Sequence, residues 1–409
     1  MRVWQLIGIT LVLGVMSITT GWRPLFVVTY ALIAALVLSS AWMALSLQGM
    51  SFSRTTPIAR AQVGERMEER LALENRSWFP KLWVQVSDES TLPGHHAGYV
   101  SSLGAHKRIT WRARTLCRQR GRYLLGPVSA TTGDPLGLFQ QTVPLAPAYP
   151  LLVLPTVLPL ENFVLYPGAM PGRGRGSQRS LQTATNVVTV RTYVPGDPLT
   201  RIHWRSTARM GQFMVKEFDL DPTVDITILL DLDRRVQVGQ DEQSTEEHGV
   251  TIAASIANYL LRQKQLAVGL VVSGMPEGSL LLDRGERQLD RILELLAIAH
   301  PRVNAPISEA LALEAVHLAR SSVLVVVTAS TDLDWPEGIH HLLQRGVRPL
   351  VITLDPHSFD ASYPDNHAVV EALTAVGVPL ISVRYGDDLV ALLSGAARER
   401  GYVPSLIST

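Results

Sequence analysis

The chain begins with two apolar stretches separated by a short polar break at residues 21–24. No Asp, Glu, Lys or Arg occurs between Arg2 and Arg23, or between Arg23 and Arg54. Each stretch is long enough for a membrane-spanning helix, which needs about 20 apolar residues. Tryptophan and tyrosine residues lie near their ends, where amphipathic rings favour the membrane interface. The pattern predicts a transmembrane hairpin over residues 1–49, with helices at about 3–20 and 25–47 and lipid contact through residues 3–47.

A cleaved signal peptide is the alternative for the first stretch. The residues at 17–20 offer no small-x-small cleavage site, however, and a second apolar stretch follows at once. A hairpin places both chain termini on one side of the membrane. Arg23 lies in the turn, whereas more arginines flank the other side: Arg2, Arg54, Arg60 and Arg66. Because positive residues stay inside, we expect a multi-pass protein of the cell membrane with a cytoplasmic soluble region.

Residues 50–160 alternate apolar and polar positions in short runs, such as 70–74 and 82–86. Half-buried strands have this period, and the intervening turn residues are spaced as in a small antiparallel sandwich. The stretch therefore predicts an all-β, sandwich-like region. Five prolines near its end predict a stiff extended crossing, because each proline fixes its own φ (Pro144, Pro147, Pro150, Pro155 and Pro159).

From residue 222 to 409 apolar runs alternate with amphipathic helical patterns. The runs cover Ile226–Leu232, Leu266–Val272, Val323–Thr328, Leu350–Leu354 and Pro379–Val383. Such alternation predicts an α/β, doubly wound parallel sheet with helices on both faces. Ligands of these sheets bind beyond the carboxyl ends of the strands, at the switch point. The residues expected there are Asp231, Asp233, Thr328, Ser330 and Asp332.

Composition narrows the range of functions. Hydrophobic residues make up 46% of the 409 and charged residues 18%, which excludes a disordered chain. The 37 basic and 36 acidic residues nearly cancel, so no overall charge favours nucleic-acid binding. A single cysteine, Cys117, excludes an internal disulfide framework and a multi-cysteine zinc site.

Residues 161–221 combine a glycine-rich basic loop with a distinctive segment. The loop lacks the Gly-Lys-Ser/Thr of a phosphate-binding loop. Pro195-Gly196 suits a type II turn, and Asp197 with Pro198 predicts the start of a short helix. Continuing that helix would place three arginines on one face: Arg201, Arg205 and Arg209.

This segment resembles the bacterial family called domain of unknown function 58, whose signature precedes a von Willebrand factor A-like domain. The matching residues are Arg191, Tyr193, Pro195, Gly196, Asp197, Pro198, Arg201, Ile202, His203, Trp204, Ala208, Arg209, Gly211, Val215, Lys216 and Glu217. The resemblance implies a von Willebrand factor A-like domain over residues 222–409. It also implies a membrane-held partner or scaffold for a MoxR-type AAA+ ATPase, and it supplies no catalytic residue.

The segment is also strongly basic, with eight basic residues and one acidic residue between Arg173 and Lys216. Arginine suits bidentate contacts with carboxylates or phosphates. We expect a partner-docking surface formed by Arg191, Tyr193, Pro195, Gly196, Asp197, Pro198, Arg201, His203, Trp204, Arg205, Arg209 and Lys216. The alternative is an internal salt-bridge lattice with the acids that follow: Glu217, Asp219, Asp221 and Asp225.

A von Willebrand factor A domain often holds Mg²⁺ through a D-x-S-x-S loop and later oxygen ligands. The corresponding residues here are Asp231-Leu232-Asp233-Arg234-Arg235, in which acidic and basic residues replace both serines. A magnesium site would use Asp231, Asp233, Thr328 and Asp332. The alternative is a degenerate site in which Asp231 pairs with Arg234 or Arg235 or caps a helix. No other cofactor is expected.

Two further residues invite a chemical interpretation. His203 has no second histidine three or four residues away, which favours a packed or hydrogen-bonded histidine over a metal ligand or base. Cys117 lies among arginines that would lower its pKa, yet it falls within a strand by pattern, which does not suit a nucleophile. The sequence thus favours a non-enzymatic, membrane-anchored scaffold. The alternatives are a magnesium-dependent A-type ligand-binding protein and, more remotely, a hydrolase using Cys117 with His95, His96 or His106 as base.

Overall fold

The computed structural model describes residues 2–46, 48–55, 59–161, 163, 187–192, 202–218, 224–275 and 277–394. The chain divides into two compact units. Unit 1 contains Met1–Thr156 together with Leu293–Ile298, and unit 2 contains Val157–Ile292 and Ala299–Thr409.

Unit 1 begins with two apolar helices, α1 (Arg2–Thr20) and α2 (Arg23–Ser46). Gly21 separates them with a φ of 61°, a left-handed conformation that glycine adopts without strain. Both helices are long and apolar enough to cross a membrane, and only 11% of each span is buried inside the protein. A core helix of a soluble protein would be mostly buried. The predicted pair of apolar helices is therefore confirmed.

In the described part of unit 1, ten strands follow: β1 (Met50–Thr55), β2 (Arg60–Gln62), β3 (Arg66–Asn75), β4 (Lys81–Asp88), β5 (Tyr99–Leu103), β6 (Arg108–Leu116), β7 (Gly121–Leu125), β8 (Val128–Gly133), β9 (Gln140–Ala146) and β10 (Tyr149–Leu154). They form sheets with the orders β1-β3-β6, β5-β4-β8-β9 and β2-β10-β7. The first two sheets share a core in which Leu73 of β3 packs with Val84 and Val86 of β4. The predicted β-rich region is confirmed.

The stiff crossing expected from the proline-rich stretch is wrong for its first part, whereas Pro155 and Pro159 do lie in a segment without regular structure after β10. Pro144 lies inside β9 and Pro150 inside β10, and both strands are paired. Strand β9 is at the edge of its sheet, where the missing N–H of Pro144 can face away from the ladder.

Unit 2 starts with an antiparallel pair, β11 (Val187–Thr192) and β12 (Met214–Phe218), with helix α3 (Trp204–Met210) in the connection. Five parallel strands follow: β13 (Asp225–Asp231), β14 (Ala267–Ser273), β16 (Val323–Thr328), β17 (Arg348–Leu354) and β18 (Leu380–Val383). An antiparallel strand, β15 (Ser279–Asp283), completes the sheet order β15-β14-β13-β16-β17-β18. The five apolar runs found in the sequence correspond to the five parallel strands.

Among the residues that the structure describes, seven α-helices follow β12: α4 (Thr245–Asn258), α5 (Glu286–Ile298), α6 (Ile307–His317), α7 (Trp335–Gln344), α8 (Pro356–Phe359), α9 (His367–Ala375) and α10 (Leu389–Leu393). The strands β13, β16 and β17 are almost wholly buried. The sheet is thus a mixed α/β sheet covered by helices. From β13 the chain adds β14 and β15 on one side of the sheet and then β16, β17 and β18 on the other side. The switch point of the sheet therefore lies between β13 and β16, at their carboxyl ends.

Candidate functional site

Asp231 and Thr328 meet at the switch point, because β13 and β16 are parallel neighbours that end there. The Thr328 hydroxyl donates to Oδ2 of Asp231 at 2.7 Å, and the Asp233 N–H donates to Oδ1 at 3.0 Å. Asp231 is 2% exposed. Burial raises the pKa of its carboxyl to about 6, although these two hydrogen bonds act in the opposite direction.

The guanidinium of Arg235 binds the carboxylate of Asp233, two residues earlier in the chain. Nε of Arg235 lies 3.2 and 3.1 Å from the two carboxylate oxygens, and Nη2 lies 2.5 Å from Oδ2. Burial raises the pKa of Asp233, but the hydrogen bonds and charge of Arg235 outweigh it and lower that pKa. The Arg235 side chain remains 49% exposed. It therefore presents a fixed positive charge at the edge of the sheet.

A pocket of about 190 Å³ opens at this edge. It is lined by Arg235 and Val236 after β13, by Ala329, Thr331 and Asp332 after β16, and by Pro356, Tyr363 and Pro364 after β17. Asp355, the residue directly after β17, is buried, and its Oδ2 lies 3.6 Å from Nε of Arg384. Sequence reasoning missed Asp355 and the role of Arg235. The available signal for Asp355 was an acid directly after an apolar strand.

The four residues considered for magnesium are not arranged as a ligand set. Asp231 and Thr328 are hydrogen-bonded to each other, Asp233 binds Arg235, and Asp332 is exposed. Among the described residues, no group of three or more His, Cys, Asp or Glu side chains is placed to hold a metal ion. Because Arg235 already neutralises Asp233, the donors fit this hydrogen-bonded arrangement better than a divalent cation. Magnesium binding stays a prediction.

Helix α3 carries the described part of the signature segment. His203 caps it: Nδ1 accepts from the Ser206 N–H at 3.2 Å and lies 2.7 Å from the Ser206 hydroxyl. The helix ends at Gly211, which has a φ of 69° and whose N–H donates to the Thr207 carbonyl. The interpretation of His203 as a hydrogen-bonded residue is confirmed.

The expected continuous helix through all three arginines is wrong. Ile202 forms an isolated β-bridge and α3 begins only at Trp204, so Arg201 precedes the helix. Arg205 and Arg209 do lie on one face, four residues apart. The predicted residues Tyr193, Pro195, Gly196, Asp197, Pro198 and Arg201 lie outside the described residues.

Arg191 and Lys216 lie on the paired strands β11 and β12, one register position apart. Arg205 and Arg209 are exposed and form no ion pair with any residue that the structure describes. Of the acids considered for an internal lattice, Asp219 and Asp221 lie outside the described residues. Docking and lattice therefore both stay open for the segment as a whole.

Cys117 does not have the environment of a nucleophile. Its side chain is fully buried in a cluster with Leu125, Leu151 and Val153. The expected lowering of its pKa by neighbouring arginines is wrong, because burial, with a smaller effect of Glu65, raises the pKa of the thiol. A buried, protonated thiol is a poor nucleophile.

Sequence reasoning also missed a buried charged cluster in unit 1. Nη2 of Arg54 lies 3.0 Å from Oε2 of Glu69 and 2.5 Å from Oδ2 of Asp88. Nε2 of His95 lies 3.4 Å from the same Asp88 oxygen, and its Nδ1 lies 2.8 Å from the Thr115 hydroxyl. The charged side chains are at most 3% exposed. We refer to Arg54, Glu69, Asp88 and His95 as the buried cluster.

Comparison with known proteins relates part of the chain to a known family. Residues 189–365 match the family described as "Protein of unknown function DUF58". The match begins on β11, covers the signature segment and extends beyond β17. The "Uncharacterized protein YeaD" of Bacillus subtilis (strain 168) is 26% identical over 317 residues, which cover 75% of this chain and 77% of that protein.

Solved structures resemble only a part of the chain. The CARDB domain of the PF1109 protein from Pyrococcus furiosus covers 25% of this chain and 91% of that one, with 16% identity and a TM-score of 0.20. A beta-glucosidase from Listeria innocua covers 25% of this chain and 16% of that one, with 13% identity and a TM-score of 0.18. Such low scores carry no argument about function. The informative findings are the match of residues 189–365 to the DUF58 family and the YeaD-like relative, and both support a relation of this chain to DUF58 proteins.

Proposed function

We propose that the chain is a membrane-anchored, non-enzymatic scaffold that docks a protein partner through unit 2. In this proposal α1 and α2 cross the cell membrane as a hairpin and both units lie on its cytoplasmic side. Unit 2 is a von Willebrand factor A-like domain, and the partner is an AAA+ ATPase of the MoxR type. The observation that carries the proposal is the exposed surface of helix α3.

None of the seven residues of α3, all of which the structure describes, is buried. Trp204 is 66% exposed, Met210 60% and the nearby Phe213 53%, and the Trp204 and Phe213 rings meet edge to face. Arg205 and Arg209 are exposed on the same short helix. Exposed apolar side chains rimmed by charge mark protein-binding surfaces, and tryptophan and arginine dominate their energetic centres.

The carboxyl edge of the sheet supports the same proposal. Arg235 is held by Asp233 but keeps half of its side chain exposed beside a pocket of about 190 Å³. A fixed guanidinium suits a carboxylate of a partner protein. Besides Arg235, the polar groups of the pocket lining are the hydroxyls of Thr331 and Tyr363 and the carboxylate of Asp332. This lining suits the binding of a partner and gives no sign of a catalytic site.

A pull-down of the tagged full-length protein from its own cells in detergent, with mass spectrometry, tests this proposal. We expect wild type to recover an AAA+ ATPase in the presence of ATP. Trp204→Ala with Arg205→Ala is expected to weaken this binding by about 30-fold or more, since the loss of one centrally placed tryptophan or arginine side chain already costs about 2 kcal/mol.

The matched control is Leu313→Ala with Arg320→Ala, which also removes one exposed apolar and one exposed basic side chain from unit 2. Binding should persist in this control. Equal recovery with both double variants, once each is shown to be folded by circular dichroism, would remove α3 from the docking surface. Failure of wild type to recover any ATPase would contradict the proposed partner.

A further inference from the structure

The turn between β3 and β4 contacts the end of helix α2. We refer to residues 76–80 as the β3–β4 turn. Within it, the Phe79 ring meets the Trp42 ring of α2 edge to face, with 4.6 Å between ring centroids. Trp78 meets Phe79 in the same way at 5.6 Å. Trp78 is thus only two ring contacts away from the last turns of α2.

Hydrogen bonds fix the turn in this position. Nζ of Lys81, a residue only 1% exposed, donates to the carbonyl oxygens of Leu45 at 2.9 Å and Gln48 at 3.0 Å. A cation at a helix C-terminus is favoured by the helix dipole, and the last carbonyls of a helix need such donors. The Arg76 N–H donates to the Gly49 carbonyl at 2.7 Å.

The side chain of Asn75 holds the turn from its other side. Its Nδ2 donates to the carbonyl oxygens of Phe79 at 2.9 Å and Gly104 at 3.0 Å. Its Oδ1 accepts from the N–H and the hydroxyl of Ser77. Asn75 itself is fully buried. The turn is therefore a rigid extension of the β-rich part of unit 1, seated on α2.

The length of α2 sets the depth of this contact in a bilayer. Its 24 residues span about 36 Å, whereas the hydrocarbon core of a bilayer is about 30 Å thick. The final turn of α2 therefore reaches the layer of lipid headgroups. Trp42 lies four residues before the helix end at Ser46. The rings of Phe79 and Trp78, which are linked to Trp42 by ring contacts, therefore lie close to this layer of headgroups.

The exposed side chains of the turn match the chemistry of that layer. Trp78 is 70% exposed, which is unusual for so large an apolar ring in water but suits the membrane interface. The Arg76 side chain is 67% exposed, although its Nε lies 3.6 Å from Oε1 of Glu74. Lys107, also exposed, is adjacent, because its carbonyl accepts from the Asn75 N–H at 2.9 Å. Cations here can pair with lipid phosphates.

We propose that the β3–β4 turn is a second membrane contact, in which Trp78 inserts into the headgroup layer and Arg76 and Lys107 bind the phosphates of anionic lipids. This inference rests on the proposed membrane anchoring by α1 and α2. It adds a site at which the soluble part of unit 1 itself touches the lipid surface.

Nitroxide labels on single cysteines of the full-length protein in vesicles test the inference. The tested position is labelled through Trp78→Cys. Val37→Cys in α2 gives the reference position inside the bilayer. Arg66→Cys, at the far end of β3 and about 30 Å along the strand from Asn75, gives the reference position in water. The buried Cys117 leaves wild type as the unlabelled control. Accessibility to oxygen and to a water-soluble nickel chelate is then measured by electron paramagnetic resonance.

We expect position 78 to show an accessibility between those of positions 37 and 66. In vesicles that contain phosphatidylglycerol, Arg76→Ala with Lys107→Ala should move position 78 towards the value of position 66. If position 37 is in the bilayer while position 78 matches position 66, the second contact is overturned and the anchoring stands. If position 37 is itself in water, the anchoring fails and the inference with it.

Discussion

Arg54→Met is expected to lower the free energy of unfolding of unit 1 by about 3–5 kcal/mol. The Arg54 side chain is 3% exposed and contacts both Glu69 and Asp88, whose side chains are 0% and 2% exposed. Methionine removes the positive charge but leaves both carboxylates out of contact with water. Both carboxylates then lose their cationic partner at a buried site, which costs more than the loss of a hydrogen bond between neutral groups.

Hydrogen exchange with mass spectrometry in detergent, on peptides that cover β3 and β4, measures this loss. The control is Arg112→Met, which breaks an ion pair with Glu68 between two side chains that are 57% and 39% exposed. An exposed pair contributes about 0–1 kcal/mol, so the control should barely change the protection. Equal losses in both variants would show that the buried cluster does not depend on Arg54.

The same variant should change how unit 1 responds to acid. Burial raises the pKa of Asp88, but hydrogen bonds from His95 and Ser90 and the charge of Arg54 lower it to about 2. A carboxyl with a lowered pKa stabilises the fold at pH values above its unfolded pKa of about 4, and that stability is lost as the pH falls towards 2. Without Arg54 we expect the acid-induced loss of protection to begin at a higher pH.

Asp231→Asn is expected to stabilise unit 2 by about 2 kcal/mol at pH 8. Burial raises the pKa of Asp231 from 3.8 to about 6, so the folded protein carries an unfavourable buried charge at pH 8. A rise of about two pKa units corresponds to about 3 kcal/mol. Asparagine removes this cost, while it forfeits about 1 kcal/mol because one of the two hydrogen bonds, from Thr328 or Asp233, is lost.

The sign of the pH dependence distinguishes this prediction from a general effect on packing. Between pH 4 and 6 the folded state binds the Asp231 proton more tightly than the unfolded state, so stability decreases as the pH rises through this range. The advantage of Asp231→Asn should therefore disappear below about pH 5. Asp332→Asn, an exposed carboxyl at the same edge of the sheet, is the control and should change stability by less than about 0.5 kcal/mol.

The stability of unit 2 is measured by thermal or denaturant unfolding, which is monitored by hydrogen exchange of the backbone amides of β13 and β16. An advantage of Asp231→Asn that is the same at pH 4.5 and pH 8 would contradict a raised pKa. A lower stability at both pH values would mean that the carboxylate is a necessary partner of Thr328.

The apolar strands of unit 2 could be predicted because each is buried on both faces and therefore reads as an uninterrupted hydrophobic run. Strand β15 could not, since it lies at the edge of the sheet with Leu281 90% exposed, and its pairing with β14 is antiparallel. The paired strands at Pro144 and Pro150 were missed for a related reason. A proline excludes a central ladder position but not an edge or the beginning of a strand, and that position depends on neighbours distant in sequence.

The sites were less accessible to sequence reasoning than the strands. Asp231 and Thr328 could be paired because the ends of parallel strands meet at one edge. In contrast, Arg54 was interpreted as a charge flanking the membrane, whereas it lies in a cluster with residues 15 to 41 positions away. Long-range pairing of charges has no local pattern. The start of α3 at Trp204 was missed because the cap of this helix is His203, a residue type that is not a usual helix N-cap.

The lysine bonded to the end of α2 bears on how the soluble part of the chain can move. Only three residues separate Ser46 from the first strand residue, Met50, and Lys81 bridges this short link with two hydrogen bonds. A flexible tether would let the attached strands rotate freely and would absorb a pulling force by extending. Here a lateral force on β3 or β4 is transmitted directly to α2 as a torque. In the proposed hairpin, tilting of α2 and tilting of these strands would therefore be coupled, and the angle of α2 in the bilayer would set the orientation of the strands.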